Sequence, residues 1–432
     1  MSDKAKDKMM KGQEKRGLVP KLRFPEFRGA GAWVEKALSD KCRVTQGGTP
    51  DTTVSAFWGG SIQWITPAEM GKISNKYIAK TVRSITKEGL ANCSSELLPK
   101  NSIIISTRAP IGHLAINQEQ MAINQGCHGL VPNVGVDAHF IYYTLDKSRG
   151  ILNDLGSGNT FKELSGKALK NFVLPYPAVA EQQKIADCLS SIDELITSEA
   201  QYLDTLKTHK KGLMQQLFPE EGETVPRLRF PEFRAAGEWK RNQLCELVTD
   251  FLDGDWVESK DQSNFGIRLL QTGNIGVGSF ISKIGNSRYI SDETFTRLHC
   301  EEVFPGDCLI SRLPDPAGRS CLVPDIGQRM ITAVDCTIVR FDKTKIIPYL
   351  FVVYSQTDRY FREVESLCSG STRQRISRDN LSQIELALPK LVEQQKIADC
   401  LSSLDELITA EAQYLDTLKT HKKGLMQQLF PA

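Results

Sequence analysis

Glu181 to Pro219 reads EQQKIADCLSSIDELITSEAQYLDTLKTHKKGLMQQLFP, and the stretch returns as Glu393 to Pro431 with two changes, Ile192 to Leu404 and Ser198 to Ala410. Within it Ile185, Leu189, Ile192, Ile196, Leu203, Leu206, Leu213 and Leu217 follow a three-four spacing, with Glu199 and Lys210 filling the missing steps. That is the narrow apolar seam of a coiled-coil helix. The second copy repeats the seam at Ile397, Leu401, Leu404, Ile408, Leu415, Leu418, Leu425 and Leu429. Neither helix can bury such a stripe alone, so the two are expected to pack on each other. Acidic residues (Glu181, Asp187, Asp193, Glu194) crowd the first half and Lys207, Lys210 and Lys211 the last, which suits the helix dipole. Antiparallel pairing then sets each acidic end against the other copy's basic end and gives the pair an approximate twofold axis. The LKTHKK cluster reads as a solvated helix end before it reads as a direct DNA contact. At about 1.5 Å per residue such a helix spans roughly 55 to 60 Å.

Outward from the helices, Val19 to Trp33 (VPKLRFPEFRGAGAW) recurs as Val225 to Trp239 (VPRLRFPEFRAAGEW), at an offset of 206 where the helices are offset by 212. The order is A, variable, B, A, variable, B. The variable stretches, about Val34 to Ala180 and Lys240 to Val392, share an alternating strand-like texture and one clear echo. Ser157, Gly158, Thr160, Ser165 and Leu169 fall on Ser369, Gly370, Thr372, Ser377 and Leu381. A period this long excludes a solenoid and indicates domain duplication. Segments kept nearly identical do one job twice; the divergent segments do two different jobs.

At 432 residues the chain exceeds what one core usually organises. Lys and Arg total 54 against 52 Asp and Glu, a net charge of +2 that carries no nucleic-acid signal of its own. The 11 cysteines include no CxxC pair, which fits reduced thiols and a cytoplasmic location, with no disulfide framework expected. Met1 to Arg16 is polar and Lys-rich, read as a disordered tail and neither a signal nor an anchor. No apolar run approaches the roughly 18 to 20 residues of a membrane span.

Several phrases now carry a resemblance. Gln46-Gly47-Gly48-Thr49-Pro50 followed by Ile62-Gln63-Trp64-Ile65-Thr66-Pro67, then Pro175-Tyr176-Pro177 leading into Glu181-Gln182-Gln183-Lys184-Ile185-Ala186, occur in the doubled order just described, with Pro389 and Glu393 to Ala398 repeating the second hand-over. After Arg16 the chain resembles the specificity subunits of type I restriction-modification systems. The resemblance implies a mixed α/β (α+β) fold in which two target-recognition domains of one fold are separated by two long helices forming an antiparallel coiled coil, a pseudo-twofold internal repeat. On that reading residues 1–16 are the tail, 17–180 the first recognition domain, 181–219 the first spacer helix, 220–392 the second domain and 393–432 the second helix. It also implies that double-stranded DNA, two methyltransferase subunits and two restriction (translocase-nuclease) subunits are the partners. S-adenosylmethionine, ATP and Mg2+ would then be used through those partners, with no cofactor and no metal on this chain. The second domain departs from the pattern, Asp253-Gly254-Asp255-Trp256 standing in place of GGTP, although Leu270 to Ile275 still resembles the following strand.

Catalytic motifs are not found: no Gly-rich cofactor loop with Asn- or Asp-Pro-Pro-aromatic, no GxxxxGK[ST], no HExxH. Asp307 and Asp315 near Arg312 lack the lysine-bearing strand of a nuclease. Candidate DNA readers are side chains able to offer bidentate hydrogen bonds to base edges. Thr107 and Arg108 follow the apolar run Ile103 to Ile105, and Arg312 follows Leu309 and Ile310; Asn124, Gln125, Gln271 and Asn274 are similar, with Thr49 and Thr66 in the opening phrases. The loops around Gly158, Thr160 and Lys162, and around Thr372, Arg373, Gln374 and Arg375, read as phosphate contacts. Trp58 and Trp64 read as core. The alternative to a DNA reader is a non-catalytic scaffold derived from one, whose heads bind protein.

Overall fold

The computed structural model describes residues 18–431 except 74, 109, 157–161, 284, 315 and 371–373. The expected tail at Met1 to Arg16 and the candidates Gly158, Thr160, Thr372 and Arg373 lie outside the described residues. Each repeat copy forms one uninterrupted helix, Val179–Leu217 and Leu391–Leu429. The chain divides into two compact units, residues 1–201 with 412–432, and residues 202–411. The division falls inside both long helices, so each unit holds the N-terminal half of one and the C-terminal half of the other.

In the first unit a five-stranded sheet runs in the order Cys42–Gln46, Cys127–Pro132, Ile103–Ser106, Leu114–Asn117, Tyr77–Ile78. Beside it stands a three-stranded sheet, Arg83–Ile85, Trp58–Ile65, Met121–Ile123, the last two parallel. The strand Val34–Ala37 pairs antiparallel with Val173–Tyr176 and closes the domain next to the helix start. The second unit repeats this plan. Val248–Asp253, Cys336–Phe341, Cys308–Ser311 and Ser320–Leu322 form the main sheet in the corresponding order. Ile267–Leu270 runs parallel to Met330–Thr332, and Lys240–Gln243 pairs with Glu385–Leu388. The central strands are buried on both faces, as their continuous Ile-rich and Leu-rich runs require: Ile103 to Ile105 and Cys308 to Ile310 are all fully buried.

The seam is shared between helix pairing and domain core. In the first unit Ile185 and Leu189 pack with Phe140, Trp33 and, from the second helix, Leu425, Leu429 and Phe430. In the second unit Ile397 and Leu401 meet Met214, Leu217 and Phe218 in the same way. Rising numbers on one helix meet falling numbers on the other, so the pairing is antiparallel. Asp193 lies against Lys422 and, in the repeat-equivalent places, Asp405 takes Lys210 at 2.6 Å. Tyr143 donates to Asp193 at 2.6 Å and Tyr349 to Asp405 at 2.6 Å. Further along, Leu203, Leu206 and Leu415 are buried, while Ile192, Ile196, Leu404, Ile408 and Leu418 are half-buried.

The repeated LRFPEF segments lock each helix start. Arg23 makes a bidentate pair with Glu181, both bonds 2.7 Å, and Arg229 does so with Glu393 at 2.7 and 2.8 Å. Each segment also bonds the end of the other long helix: Leu22 N donates to Gln428 O at 3.0 Å and Leu228 N to Gln216 O at 2.9 Å.

Candidate nucleic-acid interface

At one end of the main sheet of the first unit, three segments converge: the exit from Cys42–Gln46, the exit from Ile103–Ser106 and the entry to Cys127–Pro132. Gly47 N donates to Cys127 O at 3.2 Å and Gly48 N to Ile123 O at 2.9 Å. A Cβ on Gly47 would stand 1.9 Å from the Asn124 carbonyl oxygen, so only glycine fits this crossing. The second unit builds the same crossing with other residues. Gly254 N donates to Cys336 O at 2.9 Å and Asp255 N to Thr332 O at 2.8 Å, and a Cβ on Gly254 would lie 2.3 Å from Ala333 O. The Asp253-Gly254-Asp255 stretch therefore takes the place of Gln46-Gly47-Gly48, one residue earlier than the alignment with GGTP expected from the sequence, because the two stretches share one letter and only the backbone bonds fix their register.

Two more pairs of bonds extend the frame. Thr107 N donates to Gly126 O at 2.8 Å and its carbonyl accepts from Leu164 N at 2.8 Å; Arg312 N donates to Asp335 O at 2.9 Å and its carbonyl accepts from Ile376 N at 3.2 Å. Asn124 N bonds Ile65 O at 2.9 Å where Ala333 N bonds Leu270 O at 3.0 Å. Thr107 is thus the counterpart of Arg312, and Asn124 of Ala333. The backbone is held constant while the side chains on it are exchanged.

In the first unit the structure brings Thr49, Asn124 and Gln125 together. Asn124 Nδ2 donates to Thr49 Oγ1 at 2.9 Å and to Gln125 Oε1 at 3.0 Å, the Thr49 hydroxyl donates to Gln125 Oε1, and Asn124 Oδ1 accepts from Gly126 N at 2.8 Å. All three are half-buried, a set of amide and hydroxyl groups already oriented by one another. Thr107 is fully buried, its hydroxyl 3.2 Å from Gly126 O and 3.2 Å from His128 Nδ1. Burial pulls the His128 pKa below its ordinary value and favours the neutral ring. Arg108 is exposed with its Nε 3.2 Å from Glu163, and Lys162 is exposed beside it. Thr66 closes the strand Trp58–Ile65 by capping the short helix Pro67–Met70, in a reciprocal box with Glu69.

In the second unit Arg312 is buried to 5 % exposure, its guanidinium bonded to Val334 O and 3.2 Å from Asp253. Arg375 stands 3.1 Å from Asp335 and Arg378 3.7 Å from Asp253, so cations and carboxylates alternate across this strand end. Gln374 is exposed. Gln271 and Asn274 repeat the Thr66–Glu69 cap: Gln271 N donates to Asn274 Oδ1 at 3.0 Å, and the buried Asn274 Nδ2 donates to Ile281 O at 2.9 Å. These two side chains hold their turn. Of the aromatics, Trp64 is buried and donates to Gly48 O at 2.9 Å, while Trp58 is half-buried under the Arg83 guanidinium, 3.6 Å from its ring centre. Trp256 and Arg378, at the same strand end, were not among the sequence candidates. The signal for Trp256 was present, since it follows Gly254-Asp255 as Thr49 follows Gly47-Gly48, but only the backbone bonds fix that alignment.

Among the described residues no helix is long and apolar enough to cross a membrane, and no group of His, Cys, Asp and Glu is placed to hold a metal ion. The type I restriction modification DNA specificity domain model matches residues 31–208 and 280–420, more than half of the chain. The MjaIX specificity subunit of Methanocaldococcus jannaschii is 38 % identical over 189 residues, 43 % of this chain and 44 % of that protein. The EcoR124I/EcoR124II specificity subunit of Escherichia coli is 32 % identical over 171 residues, 38 % of this chain and 41 % of that one. The match thus spans less than half the length of either relative. In structure, the type I restriction-modification S subunit from M. genitalium superposes with a TM-score of 0.59 at 16 % identity, covering 96 % of this chain and 100 % of that one. A chain from a study of assembly and conformational transition in the type I R-M system gives a TM-score of 0.55 at 16 % identity, covering 93 % and 98 %. Both share the fold.

Proposed function

Because the chain belongs to the type I restriction-modification DNA specificity family, we propose that it is the sequence-reading subunit of such a system and recognises a bipartite, asymmetric site on double-stranded DNA, one half-site per unit. The observation that supports this most directly is the strand end just described, where one backbone frame occurs twice with its side chains exchanged. A frame conserved for packing alone would not select Thr49, Asn124 and Gln125 in one copy against Trp256, Ala333 and Val334 in the other. Hydrogen-bonding groups at such a position can discriminate base edges, and the neighbouring Arg108, Lys162, Gln374 and Arg375 supply charge and donors for phosphates. The duplicated helix starts, each with its Arg–Glu lock and its Phe24 or Phe230 under Lys184 or Lys396, offer two equivalent docking places for two methyltransferase subunits. Two restriction subunits complete the assembly, and S-adenosylmethionine, ATP and Mg2+ are held by those partners in the cytoplasm. This chain contributes selection of the site and no chemistry.

A genome-wide methylation map with and without the gene tests the reading. Loss of one bipartite motif with two unlike halves is the expected outcome. An unchanged map, in cells that express the modification subunit, would move the function to a protein scaffold.

A further inference from the structure

Thr49 and Trp256 occupy one position in the two units. Each follows a residue whose backbone N–H is bonded to the same place on the neighbouring strand, Gly48 to Ile123 O and Asp255 to Thr332 O. In the first unit the position faces two amides, Asn124 and Gln125. Their counterparts in the second unit are Ala333 and Val334, so three polar side chains have been replaced together by three apolar ones. Trp256 is 69 % exposed, whereas Trp33, Trp64 and Trp239 are buried. An indole left in water costs free energy that an intramolecular contact would have recovered. Its indole N–H nonetheless has a partner. Nε1 donates to Glu258 Oε1 at 3.3 Å, and the loop behind it is pinned by Asp255, which accepts from Glu301 N at 3.1 and 3.2 Å, and by Asp261 on Arg297 at 2.6 Å.

We propose that Trp256 is an apolar reader in the second unit that takes the C5-methyl group of a thymine where the first unit's Thr49–Asn124–Gln125 set takes a hydrogen-bonding base edge. The thymine methyl is the one apolar feature that a base pair displays in the major groove, and an apolar surface can recognise nothing else there. Lys260, paired with Glu258 at 2.8 Å, and Arg288 line the depression around Trp256, and Arg375 and Arg378 lie at the same strand end beside Asp335 and Asp253. The inference rests on the DNA-reading function proposed above.

The test uses the full chain with its co-expressed modification subunit and a duplex selected by that complex from a random library. Each thymine is replaced by uracil in turn, which removes only the methyl group. One thymine in a single half-site should lose about fourfold in affinity, the worth of one buried methyl-sized group. Trp256→Ala should bind thymine and uracil equally at that position, Trp256→Phe should still discriminate, and Asn124→Ala should relax selectivity only in the other half-site. Absence of any methyl-sensitive thymine, or discrimination that survives in Trp256→Ala, overturns the apolar reader while leaving the DNA function standing. If Asn124→Ala, Gln125→Ala and Trp256→Ala all leave site selection intact, the strand end is not the reading face and the apolar reader falls with it, whereas failure of the complex to select any duplex would overturn the DNA-reading function itself. Because Trp256 is exposed, loss of folding is not expected, and its fluorescence should be protected from iodide by the cognate duplex.

Discussion

Asp255 shows how one residue can tie stability to the reading loop. Its carboxylate is pushed up to about 6 by burial, and the nearby Glu301 charge adds to the rise, while hydrogen bonds from Glu301 N and the Cys300 thiol oppose it. The folded state therefore holds this proton more tightly than the unfolded chain does. The associated stabilisation is complete below the ordinary carboxylate range and is lost as pH rises through about 6. Asp255→Asn keeps an acceptor for Glu301 N and removes the charge. Denaturation midpoints of the second unit should fall for the native protein relative to Asp255→Asn between about pH 4 and pH 6, then run parallel. A constant gap across that range would show that Asp255 ionises freely in the fold. Arg312 makes a related point. The sequence marked it as a base reader, yet its guanidinium is engaged by Asp253 and Val334 O, so Arg312→Ala should lower stability as well as DNA selectivity.

At the scale of elements, the arginine locks and the seam separate two kinds of cohesion. Arg229 and Glu393 have side chains 8 % and 3 % exposed, so each would be a buried charge if left alone. Arg229→Ala should cost about 3–5 kcal/mol, and Arg229→Lys a large part of that, because an ammonium cannot make both parallel bonds. Urea unfolding of the full chain measures this; a cost below about 1 kcal/mol would mean that the pair is solvated and merely decorative. The seam residues respond through volume. Leu401 is fully buried, and Leu401→Ala should cost about 2–5 kcal/mol, whereas Leu404 and Ile408 are half-buried and their truncation should cost less. The spacing in the sequence gives all these positions equal standing. The difference comes from the domain core, which reaches Leu401 and stops short of Ile408.

For the whole molecule, the division into units has a consequence that the repeat alone suggests only in outline. The first unit's core includes Leu429 and Phe430, with Leu425 and Met426 packed against it. A fragment ending at Pro219 lacks that segment, but its own Lys210 to Pro219 has the identical sequence KKGLMQQLFP. A second copy of the fragment can therefore fill the vacancy, and the fragment should be a dimer that reads a symmetric site made of two first half-sites. Analytical ultracentrifugation checks the first statement and a methylation map the second. A folded monomer would show that the missing helix segment is dispensable. Exchange of residues 240–392 for another recognition domain should alter one half-site only; a change in both would show that the units do not read independently.

The doubled EQQKIADCLSS and LRFPEF stretches were enough to indicate duplication, helix and antiparallel pairing, because periodicity and identity are properties of the chain itself. The strand-like alternation of the variable stretches was legible too, while the mixed α/β fold was implied by the resemblance to the family. What sequence could not supply was the correspondence between divergent loops: Gln46-Gly47-Gly48-Thr49 and Asp253-Gly254-Asp255-Trp256 align only through hydrogen bonds to strands some 80 residues away. Nor could it separate Asn124, half-buried with its amide bonded to Thr49 from another strand exit, from Asn274, buried with its amide bonded within its own turn, since both read as exposed polar loop residues. Side-chain chemistry is written locally, but whether a polar group is free to meet a ligand depends on which distant backbone atoms reach it first.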